Sequence, residues 1–338
     1  MDVQKRILVM LILFGLMFSC KTQKSDSRDE LTYPKAASDS TSLFPIRFRP
    51  KWHTQAQFAG VYMAIHKGLY AQHGLDVQLQ SVLLTEPAVD ALLQGHGDIV
   101  HVDLLNALDL CREQTKIVNI AQINQKNSVY LVGKKSNGIN SLEDFRGKRL
   151  GLWRSGSNMA TRLFLAQKGI PMEIINIDWS INLFAQNAVD VINAMDYNEF
   201  HQILQAGIDS EDLFIAKQQE LGLTVPDEGF YVRPEFYKAH PNECRAFVKA
   251  TLDGWLYAFS HEQETLDLVL KMMKEDNLRA NRAHQQWMLN HMKDAIMPSI
   301  AEMGILKRKN YEEAMDLMIK YMGFPRRIPY EEFYPDAE

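Results

Sequence analysis

From residue 46 onward, short runs of β-branched and aliphatic residues alternate with stretches of helical spacing, the signature of βαβ units around a mostly parallel sheet. The pattern predicts strands at 46–49, 77–80, 99–102 and 117–122. Between them Phe58, Val61, Tyr62, Ile65 and Leu69 recur at helical spacing, as do Val89, Leu92 and Leu93, then Leu104, Leu105 and Leu108. These elements make one α/β lobe.

A second cycle begins after 128–133. Ser141-Leu142-Glu143-Asp144 reads as a helix start, and an apolar strand at 150–153 follows. The spacing then predicts helix 158–168, strand 174–177, helix 181–187, strand 189–195 and helix 197–205. Beyond 213–215 the chain turns helical, at 241–260, 263–274, 282–293 and 311–322, and these helices are expected to cover the first lobe. The likeness of the two cycles is one of pattern, with no residue-level repeat. The expected division is 44–130 plus 225–338, with the C-terminal helices, for the first lobe and 131–224 for the second. Two α/β lobes joined by a hinge make a clamp, because ligands favour the crevice at the carboxyl ends of parallel strands.

The N-terminus carries an address. Lys5 and Arg6 precede an apolar run, 7–18, that ends at Ser19-Cys20 and gives way to polar residues, the plan of a signal peptide. Its twelve residues fall short of the ~20 needed to cross a bilayer as a helix. Met17-Phe18-Ser19-Cys20 resembles a lipobox, so 1–20 reads as a lipoprotein signal with lipidation at Cys20, the other reading being an ordinary cleaved signal. Residues 21–43 are rich in Ser, Thr, Asp and Lys, as in a flexible linker holding a domain off a membrane. The expected location is periplasmic or cell-surface, anchored to the membrane.

Composition narrows the classes. The 338 residues are 46% hydrophobic and 23% charged, an ordinary globular balance, with net charge -5. Basic residues are interspersed with acids, so there is no cationic field for nucleic acid. Three cysteines, Cys20, Cys111 and Cys244, are too few for a zinc cluster or a disulfide framework. Cys111 and Cys244 lie in helical patterns as small core residues, with a disulfide between them left open. No HExxH, GxSxG, Walker loop or dinucleotide fingerprint occurs, so no metal, no cofactor and no catalytic residue is expected.

The stretch from Trp52 to Tyr70, with Gln57-Phe58-Ala59-Gly60 and Lys67-Gly68-Leu69-Tyr70, followed by Gly74-Leu75-Asp76-Val77, resembles the opening of the SsuA/THI5-like (NMT1/THI5-like) substrate-binding proteins. Gly95-His96-Gly97-Asp98-Ile99, the run from Ser141 to Gly151, and 190–199 extend the similarity across 46–259. The resemblance implies a type II periplasmic-binding-protein fold serving an ABC importer, nearest the binders of thiamine-pyrimidine precursors, with sulfonate and nitrate binders further off. Fungal members of the family are pyrimidine phosphate synthases that use their own histidine and pyridoxal phosphate. Here Phe58 stands where their donor histidine lies, and no cysteine cluster occurs between Leu213 and Phe230, so synthesis is not expected.

Candidate ligand contacts gather at strand-to-helix junctions. Trp52, Phe58 and Tyr62 could sandwich a flat heterocycle, with Gln57 as donor and acceptor; Phe58 and Tyr62, four apart, equally suit a buried helix face. His53 reads as a solvated loop residue. Glu86 is either a contact or a first-turn carboxylate, and Asp103 either binds an amine or caps the next helix. In the second lobe, Trp153 could close over a ring while Ser155 and Asn158 bind a carbonyl or anionic group. Tyr197 and Glu199 follow a later strand, with Asp196 as a cap, and Glu228 lies near the return crossover. The resulting expectation is a monomeric binding protein that closes on a small nitrogenous metabolite and delivers it to a permease. The alternatives are a ligand sensor presenting occupancy to a membrane receptor kinase, or a pyrimidine synthase.

Overall fold

The structure is a computed structural model that describes residues 42–82, 85–113, 115–154 and 158–336. The signal segment, Cys20, most of the linker and Ser155 lie outside the described residues.

In chain order the regular elements are β1 (Phe44–Arg49), α1 (Ala59–His66), α2 (Leu69–Gln72), β2 (Leu75–Leu79), α3 (Ala88–Leu93), β3 (Ile99–Asp103), α4 (Leu104–Leu110), β4 (Val118–Gln122), β5 (Val129–Lys134), β6 (Arg149–Trp153), α5 (Asn158–Lys168), β7 (Glu173–Ile177), α6 (Asn182–Ala185), β8 (Val191–Met195), α7 (Glu199–Gln205), β9 (Leu213–Lys217) and β10 (Glu228–Val232). Helices α8 (Pro234–Ala239), α9 (Pro241–Ser260), α10 (Glu262–Glu275), α11 (Arg282–Ile296), α12 (Arg308–Met322) and α13 (Tyr330–Phe333) complete the chain.

Two five-stranded sheets result, ordered β2-β1-β3-β10-β4 and β7-β6-β8-β5-β9. In each, four strands run in one direction and one, β10 or β5, runs antiparallel between the third and the last. The chain passes between the sheets twice, from β4 to β5 and from β9 to β10, so the sheets are tied by two short crossings. The architecture is α/β, two lobes joined by a hinge with a helical C-terminal extension.

Local chemistry accounts for the element ends. Gly68 and Gly323 adopt φ of 67° and 63°, the left-handed region that only glycine enters without strain, and they divide α1 from α2 and end α12. Pro241 opens α9 at a position where its missing N–H costs nothing. The run from Ser141 to Asp144 is a single 3-10 turn in which the Ser141 N–H donates to Asp144 Oδ2 at 2.9 Å, not a full helix.

Two expectations change. The C-terminal helices do not cover the first lobe alone: α9 packs on α1 and α2, but α12 packs on α5 and α11 reaches α7, so they brace both lobes. Strands β5 and β10 and helix α8 were not predicted. Cys111 and Cys244 are both buried and free. Among the described residues no helix is long and apolar enough to cross a membrane.

Candidate functional site

The strand ends of the first lobe build a buried charged cluster. Pairing of β10 with β3 places Glu228 directly opposite Asp103, and Lys51, two residues past the end of β1, reaches both. Its Nζ lies 2.7 Å from Asp103 Oδ1 and 2.8 Å from Glu228 Oε1. Glu228 Oε1 also accepts from Gln57 Nε2 at 2.7 Å and from Tyr197 Oη at 2.7 Å. Glu228 is fully buried, and although burial opposes its charge, the Lys51 ammonium beside it holds its carboxyl below the ordinary carboxylate range. Lys51 is held charged by the same two carboxylates against burial. His101, on the same face of β3 as Asp103, is driven down to about 4 by burial and is therefore neutral at physiological pH.

Above this cluster stands Trp52. Its ring lies 6.1 Å from Trp153 at 73°, edge to face, and 6.4 Å from Trp179, while His53 meets Trp179 edge-on at 4.6 Å. Trp52 is a wall common to three cavities. The largest, about 430 Å³, is bounded by Lys51, Glu86, His101 and Asp103 of the first lobe and by Arg154 and Asp178 of the second. On the other side of Trp52 a cavity of about 240 Å³ is bounded by Trp153, Trp179, Asn198, Glu199 and His284. A third, about 300 Å³, opens beside Tyr62, Gln80 and Asp276.

The lobes meet behind these cavities. Gln57 Nε2 lies 3.0 Å from Tyr197 Oη. His201 of α7 and His284 of α11 stack with Nδ1 atoms 2.9 Å apart, and His201 lies flat on Trp287 at 4.5 Å. Trp287 Nε1 donates to the Asp196 carbonyl at 2.9 Å. Burial pushes the Glu199 carboxyl up to about 7; its oxygens accept from the Met195 N–H and from Asn198 Nδ2, each at 2.8 Å.

The candidates named from sequence therefore fall into groups. Trp52, Glu86, Asp103, Trp153 and Glu199 line the two interlobe cavities. Gln57, Tyr197 and Glu228 are gathered with Lys51 into the network beneath them. Phe58 lines none of the three cavities: it is buried edge-on against His101 and beside Tyr62. Tyr62 faces only the third cavity. Asn158 Nδ2 donates to the Arg154 carbonyl at 3.2 Å, and Asn158 lines none of the three cavities. Asp103 sits at the N-cap position of α4 but its side chain does not cap, because Lys51 draws the carboxylate away. Asp196 does not cap α7, whose N-cap residue is Asn198. Glu86 is neither isolated nor a simple first-turn carboxylate; it bridges His96 and Arg49. His53, read as solvated, is half-buried against two tryptophans.

Sequence reasoning missed Lys51, His101, Trp179 and His284. Lys51 adjoins Trp52, and adjacency to an aromatic at a strand end was the available signal. His101 lies within a strand otherwise read as apolar, and Trp179 and His284 acquire meaning only through tertiary contact.

Two α/β lobes, each with its parallel strands ending at a shared crevice, define the type II periplasmic-binding-protein fold. The NMT1/THI5 like family model matches residues 55–265, well over half of the chain, and the chain belongs to that family. It is 21% identical over 330 residues to YtlA of Bacillus subtilis strain 168, named as a candidate binding protein, covering 94% of this chain and 91% of that one. Among solved structures it is similar to the alkanesulfonate-binding protein SsuA of Xanthomonas axonopodis pv. citri bound to MOPS, with TM-score 0.63, 15% identity and coverage of 86% and 97% of the two chains. It is also similar to the ligand-binding component of an ABC-type import system from Staphylococcus aureus, with TM-score 0.62, 13% identity and coverage of 87% and 99%.

Proposed function

We propose that this protein is the solute-binding component of an ABC importer, anchored to the membrane through a lipid at Cys20, that closes as a monomer on a small, flat, nitrogenous metabolite of the pyrimidine type and presents it to a permease. Lobes 44–130 plus 225–338 and 131–224 act as the two jaws. Closure is favoured by ligand because only the closed form touches it with both lobes.

The observation that carries this reading is the position of Trp52 as the shared wall of the interlobe cavities, with Trp153 and Trp179 of the opposite lobe around it. Aromatic walls with amide and carboxylate groups at their margins suit a planar ring with hydrogen-bonding edges. A cavity of about 430 Å³ is of a size to enclose one small metabolite.

A thermal-shift screen of the full chain against pyrimidines, thiamine, flavins, sulfonates, nitrate and amines tests it. A ligand at ~100 times its dissociation constant adds about 2.7 kcal/mol of stability. A selective, saturable shift with a pyrimidine supports the reading; a shift only with compounds lacking an aromatic ring contradicts it.

A further inference from the structure

We propose that Asp103 and Glu228 set the charge selectivity of the larger interlobe cavity, giving its base a net negative charge that admits a protonated or N–H-rich ligand and rejects anions. This rests on the reading of that cavity as the ligand site, and it adds the class of compound taken.

The charges can be followed residue by residue. At the base, one ammonium, Lys51, is set against two carboxylates, Asp103 and Glu228, brought side by side by the β3–β10 register. His101, beside them and lining the cavity, adds no charge at neutral pH. Among the described residues the other cations lining the cavity are paired, Arg49 with Glu86 at 2.7 Å and Arg154 with Asp178 at 2.7 Å. A further carboxyl, Asp227, accepts the Ser128 N–H at 2.6 Å next to this group; burial and then Asp103 raise its pKa, and in either protonation state it brings no cation.

The charge beneath the base has the same sign. Glu228 Oε2 is buried without a hydrogen-bond partner and lies 3.6 Å from His101 Nε2. His101 Nδ1 is buried and unpartnered as well. Glu228 belongs to the network beneath the cavity and not to its lining, so its carboxylate acts on an entering ligand through its charge and not by direct contact. An entering anion meets the reverse. To gain a cation it must draw Lys51, Arg49 or the exposed Arg154 from its carboxylate, and at Lys51 the carboxylates stripped of their partner are buried, which is strongly unfavourable. The fold is thus similar to that of a sulfonate-binding protein, while the base of this cavity carries the opposite preference.

The test is calorimetric titration of the full chain at neutral pH with compounds of similar size in three charge classes: 5-aminomethylpyrimidine and benzylamine as cations, 5-hydroxymethylpyrimidine as a neutral donor, and benzoate and methanesulfonate as anions. Cationic or neutral donors are expected to bind at least about tenfold more tightly than either anion. The Asp103→Asn variant, with its fold checked by circular dichroism, is expected to lose about tenfold of that preference. Tighter binding of benzoate or methanesulfonate overturns the charge rule while leaving a solute-binding protein. An unchanged preference in Asp103→Asn overturns the assignment to this residue. Absence of binding by every compound overturns the ligand-site reading and the charge rule with it.

Discussion

In the first sheet Arg47 grips Asp98, just before β3, through Nε and the terminal nitrogen at 2.9 and 2.6 Å; in the second, Arg149 grips Asp190, just before β8, at 3.0 and 2.8 Å. In both, the arginine N–H donates to the same carboxylate and the aspartate N–H donates back to the arginine carbonyl. The two lobes therefore share a residue-level device as well as a plan. At the opposite strand ends they diverge. Where the antiparallel strand meets the third parallel strand, the first lobe pairs Glu228 with Asp103, and the second pairs Val129 with Met195. Where the first lobe follows β1 with Lys51 and Trp52, the second ends β6 with Trp153, whose Nε1 donates to the Asn193 carbonyl at 2.8 Å. The buried Lys51–Asp103–Glu228 cluster has no counterpart at the matching strand ends of the second lobe, which brings Trp153 and a paired Arg154 and Asp178 to the crevice instead.

The contrast is broken most severely at Lys51. Lys51→Met leaves two buried carboxylates without their cation and is expected to cost about 3–5 kcal/mol in denaturant unfolding. Adding Asp103→Asn and Glu228→Gln should recover most of that loss. A single variant as stable as the parent would show that the charged base is not under the tension described.

Next in size is the packing that places α1. A methyl on Gly254 would overlap the Gly60 carbonyl oxygen and crowd Ala64 Cβ, and the Trp255 ring covers Gly60. The counterpart helix α5 contains no glycine and packs on α4 and α12. Gly254→Ala should therefore destabilise the fold by about 3 kcal/mol, since backbone cannot yield as a side chain can. A thermal midpoint equal to the parent's contradicts this packing.

Much of this framework was legible in the sequence. Helices α5 and α9 have the predicted ends because their spacing is long and regular and Pro241 marks a start. Trp52 and Gln57 were placed near the crevice from strand-to-helix position, and Glu228 from its place near the return crossover. The charged base was not legible, because it depends on a register between Asp103 and Glu228, residues 125 apart in sequence. Phe58 was ambiguous for a different reason: helical spacing shows that a face is covered without showing by what, and here the cover is His101. The Arg47–Asp98 and Arg149–Asp190 staples escaped notice because two residues per lobe make no visible repeat.

The seam between the jaws has its own pH signature. The Glu199 carboxyl titrates near 7 in the folded protein against an ordinary value of 4.5. As pH rises between these values the unfolded chain releases this proton first, so stability falls with rising pH. Glu199→Gln removes that cost and should gain roughly 2–3 kcal/mol relative to the parent between about pH 4 and pH 8. His284 acts with the opposite sign. Burial and then His201 bring it down to about 4 from 6.5, so stability is lost as pH falls through that interval. Unfolding curves of the Glu199→Gln and His284→Gln variants across pH separate the two; parallel curves for both would contradict the assignments.

The smallest effect concerns the shared staples. Arg47→Ala and Arg149→Ala each remove a partly exposed bidentate pair, so both should lower the thermal midpoint slightly and by similar amounts. A large loss from only one would mean that the two devices are not equivalent.

The most direct measurement is a calorimetric titration of the full chain and its Trp52→Ala variant with 5-hydroxymethylpyrimidine. Saturable binding by the parent, weakened in the variant by about 1–3 kcal/mol, is the result predicted for a ring held against Trp52 between the jaws. An unchanged dissociation constant in Trp52→Ala would remove the tryptophan from the site and contradict the account.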